Sequence, residues 1–192
     1  MSIEFELKYR ATPEILQAVA ADVTGNIRRF AMETTYYDTP DRALSRQHCT
    51  LRRRMENETA VCTLKMPAGA LGRREFELEC DSIQTAIPEL CKLSGLGELT
   101  SLAQELIPVC GARFDRIAIT VDVGDCVVEL ALDHGVLLGG GREEPLCELE
   151  VELKSGSREA AVTYAKLLAL RYGLQRLHQS KFYRASQLAG GI

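Results

Sequence analysis

Successive strand-like runs of this chain alternate apolar residues with glutamate, arginine or lysine, and this pattern constrains the fold more than any other feature. Side chains of a strand point alternately to its two faces, so each run can be sorted by parity. In residues 3–10, Glu4, Glu6 and Lys8 share one face, and Ile3, Phe5 and Leu7 share the other. In 49–56, Arg52 and Arg54 oppose Leu51 and Met55, with Arg53 on the apolar side. In 59–66, Thr63 and Lys65 oppose Cys62, Leu64 and Met66. In 73–80, Arg73, Glu75, Glu77 and Glu79 oppose Phe76, Leu78 and Cys80. The later runs repeat the pattern. Arg116 and Thr120 oppose Ile117, Ile119 and Val121 in 113–123, and Glu129 and Asp133 oppose Val128, Leu130 and Leu132 in 126–133. In 146–154, Glu148, Glu150, Glu152 and Lys154 oppose Cys147, Leu149, Val151 and Leu153.

A single such strand reads as part of a sheet with one solvated face. The set reads differently, because a solvated face mixes Ser, Thr, Asn, Gln and Lys, whereas this one is concentrated in Glu and Arg. Helices predicted at 13–23 and 157–172 also carry apolar stripes (Ile15, Leu16, Val19; Val162, Ala165, Leu168) that need an apolar surface to cover. If they cover it from outside, the charged face lines the inside of a closed antiparallel barrel. The expected class is α+β, mainly β, with helices packed outside. So many enclosed charges are costly unless paired or metal-bound. Acids and bases nearly balance on that face, which suits a ligand of both signs, such as a metal–polyphosphate complex.

Length and composition set bounds. At 192 residues and 46% hydrophobic, one domain spanning 1–192 is expected, with no linker or repeat. A strand at 32–38 ends at Thr39-Pro40-Asp41, two short helices lie in 83–106, and the stretch after Gly173 is a tail containing Ser180-Lys181. A net charge of -4 gives no footprint for duplex nucleic acid and no cationic face for a membrane. The seven cysteines are scattered and never spaced as CxxC, so neither a disulfide framework nor a zinc site is expected. The N-terminal residues are charged from Glu4 onward, unlike a secretory leader, and no apolar run approaches the ~20 residues of a membrane span. A cytoplasmic protein is expected.

The N-terminal Glu4-x-Glu6-x-Lys8 resembles the ExExK signature of the CYTH superfamily, the triphosphate tunnel metalloenzymes. Tyr36-Tyr37-Asp38-Thr39, Leu51-Arg52-Arg53-Arg54, Thr63-Leu64-Lys65, Arg73-x-Glu75, Phe114-Asp115-Arg116, Leu132-Asp133-x-Gly135, Glu148-x-Glu150-x-Glu152 and Ser180-Lys181 resemble its later motifs, in family order. The resemblance implies an eight-stranded tunnel that binds a triphosphate and acts on it with Mg²⁺ or Mn²⁺. It is nearest the bacterial inorganic triphosphatases, in some of which a helical CHAD domain follows; none is expected here.

With that resemblance, Glu4, Glu6, Glu150 and Glu152 are assigned to metal with Glu148 close behind, because hard divalent ions favour carboxylate oxygen. Arg52, Arg54, Lys65, Arg73, Arg116 and Lys181 are assigned to the triphosphate, arginine suiting bidentate phosphate contact. Lys8 contacts phosphate or orients a carboxylate or the attacking water. Glu4, Glu6 and Glu77 are candidate proton acceptors. The expected reaction is hydrolysis of inorganic triphosphate to diphosphate and phosphate. A thiamine triphosphatase, a class IV-type adenylate cyclase and a non-catalytic polyphosphate or nucleotide sensor are the alternatives. Monomer and homodimer both stay open.

Overall fold

The computed structural model describes residues 2–69 and 72–190, with residues 2–4 described by backbone alone. The strands are β1 (Ser2–Glu4), β2 (Glu6–Arg10), β3 (Asn26–Asp38), β4 (Thr50–Glu56), β5 (Thr59–Pro67), β6 (Arg73–Glu79), β7 (Ile107–Asp122), β8 (Cys126–Gly139), β9 (Arg142–Gly156) and β10 (Gln175–Arg176). The helices are α1 (Pro13–Asp22), α2 (Ala43–Arg46), α3 (Ile83–Ser94), α4 (Glu98–Leu102), α5 (Arg158–Tyr172) and α6 (Lys181–Leu188). Among the described residues, the strands form one antiparallel sheet in the order β1-β6-β5-β4-β3-β7-β8-β9-β2-β10. As ordered the sheet is open, with β1 and β10 at its ends.

Ten strands stand where eight are expected for two reasons. The run 3–10 breaks at Phe5 into β1 and β2, and Gln175–Arg176 add a short β10. The break lets neighbouring segments of one N-terminal stretch serve distant parts of the sheet: β1 pairs with β6, while β2 pairs with β9. The Phe5 carbonyl accepts a hydrogen bond from Leu153 N–H at 2.9 Å.

Local chemistry sets the element ends. Thr12, Ser82, Ser157 and Ser180 cap α1, α3, α5 and α6, each side chain accepting a backbone N–H of the first turn. Gly173 ends α5 at φ 65°, where a side chain would be strained. Gly140 and Gly141, both at positive φ, turn β8 directly into β9. Several strands run further than expected: β3 begins at Asn26, β7 at Ile107 and β9 at Arg142.

The apolar faces are covered from outside. Leu16 and Val19 of α1 and Ala161, Ala165 and Leu168 of α5 pack on Val128, Leu130, Leu132, Leu149 and Val151. Ile83, Ile87, Leu90 and Leu99 of α3 and α4 cover Leu51, Cys62, Leu64 and Phe76. Ala185 of α6 closes a smaller cluster with Ala112, Leu137 and Leu146. All seven cysteines are free. Among the described residues no helix is long and apolar enough to cross a membrane.

Candidate active site

With the apolar faces under helices, the charged faces of β2 through β9 turn to a cavity of about 340 Å³. Of the residues singled out in the sequence, Glu6, Lys8, Arg52, Arg54, Lys65, Arg73, Glu77, Arg116, Glu150, Glu152 and Lys181 all line it. The Glu4 side chain lies outside the described residues. Glu148 does not line the cavity; it is fully buried behind it.

The floor of the cavity is a knot of paired charges. Arg116 grips Asp133 with a fork, Nε to Oδ1 at 2.7 Å and Nη2 to Oδ2 at 2.6 Å, and Nη2 also reaches Glu150 at 3.0 Å. Lys181 Nζ sits 2.7 Å from Asp133, 2.5 Å from Glu148 and 2.9 Å from Glu150. Arg184, one turn along α6, pairs with the other Glu148 oxygen. Lys181 is therefore no exposed tail lysine: it opens helix α6 and its side chain is 6% exposed. An ammonium at a helix N-terminus opposes the helix dipole, so the three carboxylates must hold it there.

Burial alone would lower the Lys181 pKa, but Asp133, Glu150 and Glu148 raise it well above its ordinary value. Burial alone would raise Glu150, yet Lys181, Arg116 and Lys8 bring it well below the usual carboxylate range. Asp133 is likewise lowered against its burial by Arg116 and Lys181. Glu148 is the exception, raised by burial and by neighbouring Glu150. Lys8, also buried, is raised by Glu6, 2.7 Å away, and by Glu150, so it keeps its proton. At neutral pH it acts as a cation and not as a base.

The opposite wall is basic and less well neutralised. Arg54 is 5% exposed, donates from Nε to Thr34 Oγ1, and has as its nearest described carboxylate Glu56 at 3.8 Å. Burial, with Arg52 and Arg116 nearby, lowers its pKa to about 10. Arg73 donates to His48 O and Thr50 Oγ1, while its buried Nε has no hydrogen-bond partner among the described residues. Lys65 and Arg52 lean on Glu75 at 3.1 and 3.4 Å. Glu77 stands at the rim, bonded to Thr63 at 2.9 Å, and Arg52 helps to hold its pKa below the ordinary value despite partial burial. A lowered pKa makes it a weak general base near neutrality.

Two groups of acids could attract a divalent ion. Asp133, Glu148 and Glu150 bring three oxygens within 4.8 Å of one another, but the Lys181 ammonium already serves all three. A divalent ion there would compete with that ammonium for the same oxygens. The other group is a cross-strand row, Glu6 opposite Glu152 opposite Glu129, on β2, β9 and β8. All three face the cavity, and two of the cations they engage, Arg28 and Lys154, are part-exposed. Carboxylate oxygens on three adjacent strands are the donor type that hard divalent ions favour. The sequence places Glu129 on the charged face and, with Leu132-Asp133-x-Gly135, in a family-like motif without assigning it to metal; the register is what joins it to Glu6 and Glu152.

Other cavity residues were missed outright. Arg28 and Phe30 lie on the part of β3 that alternation did not reveal, and Phe182 lies on α6. Tyr36 is buried, yet it borders the cavity and packs on Phe182 at 5.1 Å between ring centroids. Phe114 is buried, but with the guanidinium and ammonium groups of Arg54, Arg116 and Lys181 over its ring at 5.9, 5.7 and 5.2 Å.

The profile of the CYTH domain matches residues 2–186. The chain belongs to the CYTH domain family. Within that family it is 30% identical over 174 residues to an inorganic triphosphatase of Haemophilus influenzae, covering 86% of this chain and 49% of that protein. The chain thus spans about half the length of this relative. It is also 30% identical over 193 residues to a thiamine-triphosphatase of Macaca fascicularis, covering 98% of this chain and 77% of that one. Among solved structures, a Hippeastrum protein described as having a dominant triphosphatase activity superposes with a TM-score of 0.67 at 19% identity, covering 100% of this chain and 97% of its own. A Pyrococcus horikoshii protein superposes at 0.63 with 23% identity, covering 93% and 96%. These structures share the CYTH fold with this chain.

Proposed function

We propose that this CYTH chain hydrolyses inorganic triphosphate to diphosphate and phosphate, with a requirement for Mg²⁺ or Mn²⁺. The observation that carries the proposal is Arg54. A guanidinium whose proton affinity is depressed by burial and by Arg52 and Arg116, and whose nearest described carboxylate is Glu56 at 3.8 Å, is only partly balanced. A polyphosphate supplies further negative charge, and Arg52, Lys65, Arg73 and Arg116 stand around the same cavity to share it. We further propose one domain over residues 1–192, folded as an eight-stranded tunnel that the N-terminal stretch closes. The pairing of β1 with β6 and of β2 with β9 supports this closure.

In this proposal Glu6, Glu152 and Glu129 hold the metal, with Glu4 joining from the same N-terminal stretch. The chemistry that Mg²⁺ or Mn²⁺ would supply there is neutralisation of phosphate oxygens and acidification of coordinated water. Lys8 steadies Glu6 and faces the transferred group as a permanent cation. Arg54 and Arg52 orient the phosphates in line for attack, and positioning plus charge neutralisation supply most of the rate in phosphoryl transfer. Lys181 belongs to the framework: it fixes Glu150 and so the Glu150 carboxylate's contact with Arg116.

One observation favours an organic triphosphate as a second reading. Phe30, Met32, Tyr36 and Phe182 give the cavity an apolar flank that bare triphosphate does not need. The test incubates the purified chain with Mg²⁺ or Mn²⁺ and tripolyphosphate, thiamine triphosphate or ATP, and identifies the products. Phosphate from tripolyphosphate at the highest kcat/KM supports the first reading, and preference for thiamine triphosphate supports the second. Cyclic AMP from ATP supports the second reading in its cyclase form, and binding without turnover contradicts both.

A further inference from the structure

Arg28 stands at the rim of the cavity with a part-exposed side chain, and none of the roles above uses it. It lies opposite Ala118, which lies opposite Ala131, which lies opposite Glu150, so one cross-strand row carries a cation, two alanines and an acid. Ala118, which lines the cavity beside Arg28, carries no long side chain to block its reach inward. Arg28 packs over Phe30 at 5.4 Å and reaches across β7 to Glu129, Nη2 to Oε2 at 2.7 Å. The other Glu129 oxygen faces Lys154 at 3.7 Å, and Lys154 also holds Glu152 at 2.9 Å. The Glu129 and Glu152 end of the acidic row assigned to metal is thus engaged by two cations that are 55% and 40% exposed, while Glu6 is held by the more buried Lys8. Exposed ion pairs are weak and exchange readily, unlike the buried fork of Arg116 on Asp133.

We propose that Arg28 is a partner-switching residue at the cavity entrance, holding Glu129 in the metal-free protein and turning to a phosphate of the substrate once a divalent cation takes that carboxylate. The inference rests on the metal-dependent triphosphatase reading and deepens it. A doubly charged ion among Glu6, Glu152 and Glu129 repels the guanidinium and satisfies the carboxylate it leaves. The released guanidinium, steadied on Phe30, then faces the cavity beside Ala118, and its planar fork suits phosphate oxygens. Metal and triphosphate would therefore bind with positive coupling, and Arg28 would carry part of it.

The test titrates Mn²⁺ into substrate-free protein, followed by electron paramagnetic resonance, and separately measures KM and kcat for tripolyphosphate. For Arg28→Gln, Mn²⁺ should bind roughly two- to five-fold more tightly, the size expected on removing one exposed competing ion pair. The same variant should raise the KM for tripolyphosphate several-fold with a smaller change in kcat. Arg28→Lys keeps the charge and should restore Mn²⁺ affinity to near wild type while recovering only part of KM. Arg113→Gln, which removes an arginine from the outer surface, should change neither. Unchanged or weaker Mn²⁺ binding in Arg28→Gln overturns the inference, as does an unaltered KM. If the wild-type chain binds Mn²⁺ and the variant binds it identically, the inference alone fails. If the wild-type chain binds no Mn²⁺, the metal-dependent reading fails first and this inference falls with it.

Discussion

Lys181 Nζ lies 2.7 Å from Asp133 Oδ2, and both side chains are sealed from water. That one contact joins the first residue of the C-terminal helix α6 to the middle of strand β8. With Glu148 and Glu150 it makes α6 part of the cavity wall.

Removing the lysine should expose how much the fold depends on it. Lys181→Ala leaves Asp133, Glu148 and Glu150 buried with Arg116, Arg184 and the more distant Lys8 to balance them, and breaking a buried pair on one side costs about 3–5 kcal/mol. Urea unfolding at pH 7 measures the loss. Glu148→Gln should cost much less than Asp133→Asn, because burial already disfavours the Glu148 charge while Asp133 is held ionised by two cations.

Arg54 should show the opposite trade. Its charge is strained at neutral pH, and since its folded pKa is depressed to about 10, that strain is relieved only above about pH 10. Arg54→Gln should leave the unfolding midpoint unchanged or raised. Turnover of tripolyphosphate should fall by about 10²–10³, the usual cost of losing one preorganised donor to a charged transition state. Steady-state kinetics beside a thermal melt reads both effects.

Acid should unfold the protein by a definable route. Asp133 and Glu150 have folded pKa values below their unfolded ones. Their contribution is therefore fully present above the ordinary carboxylate pKa of about 4 and is lost as pH falls further. Glu148 works in the other direction, its raised value favouring the folded state at low pH. Stability measured from pH 7 to 2 should fall steeply only below about pH 4, and Glu148→Gln should change the upper part of that curve more than the lower.

The acidic residues should separate into two classes. Glu6→Gln should abolish Mn²⁺ binding and turnover while costing little stability, because Glu6 is part-exposed and tied mainly to Lys8. Glu150→Gln should lose turnover and stability together, since three cations converge on that carboxylate. Calorimetric Mn²⁺ titration and urea unfolding on the two variants make the comparison.

Strand parity was enough to bring Glu6, Lys8, Arg52, Arg54, Lys65, Arg116, Glu150 and Glu152 to one face, because a period of two is a property of each strand alone. Helix α6 was not legible. It is only eight residues long, its buried positions Lys181, Ala185 and Ser186 are mostly polar, and beside the apolar contact of Ala185 it is held by ionic contact with Glu148 and Asp133, which are far away in sequence. The first half of β3 escaped for a related reason: Asn26-Ile27-Arg28-Arg29 is exposed on both faces, so alternation carries no signal there. The row Glu6–Glu152–Glu129 needed the register of three strands, which no single segment encodes.

The most direct test of a cavity built for metal and triphosphate together is calorimetric binding of a non-hydrolysable imidotriphosphate, with and without Mg²⁺. Binding that is tight with Mg²⁺, much weaker in excess chelator and lost in Arg54→Gln is the predicted result. Equal affinity with and without metal, or undiminished binding in Arg54→Gln, would contradict it.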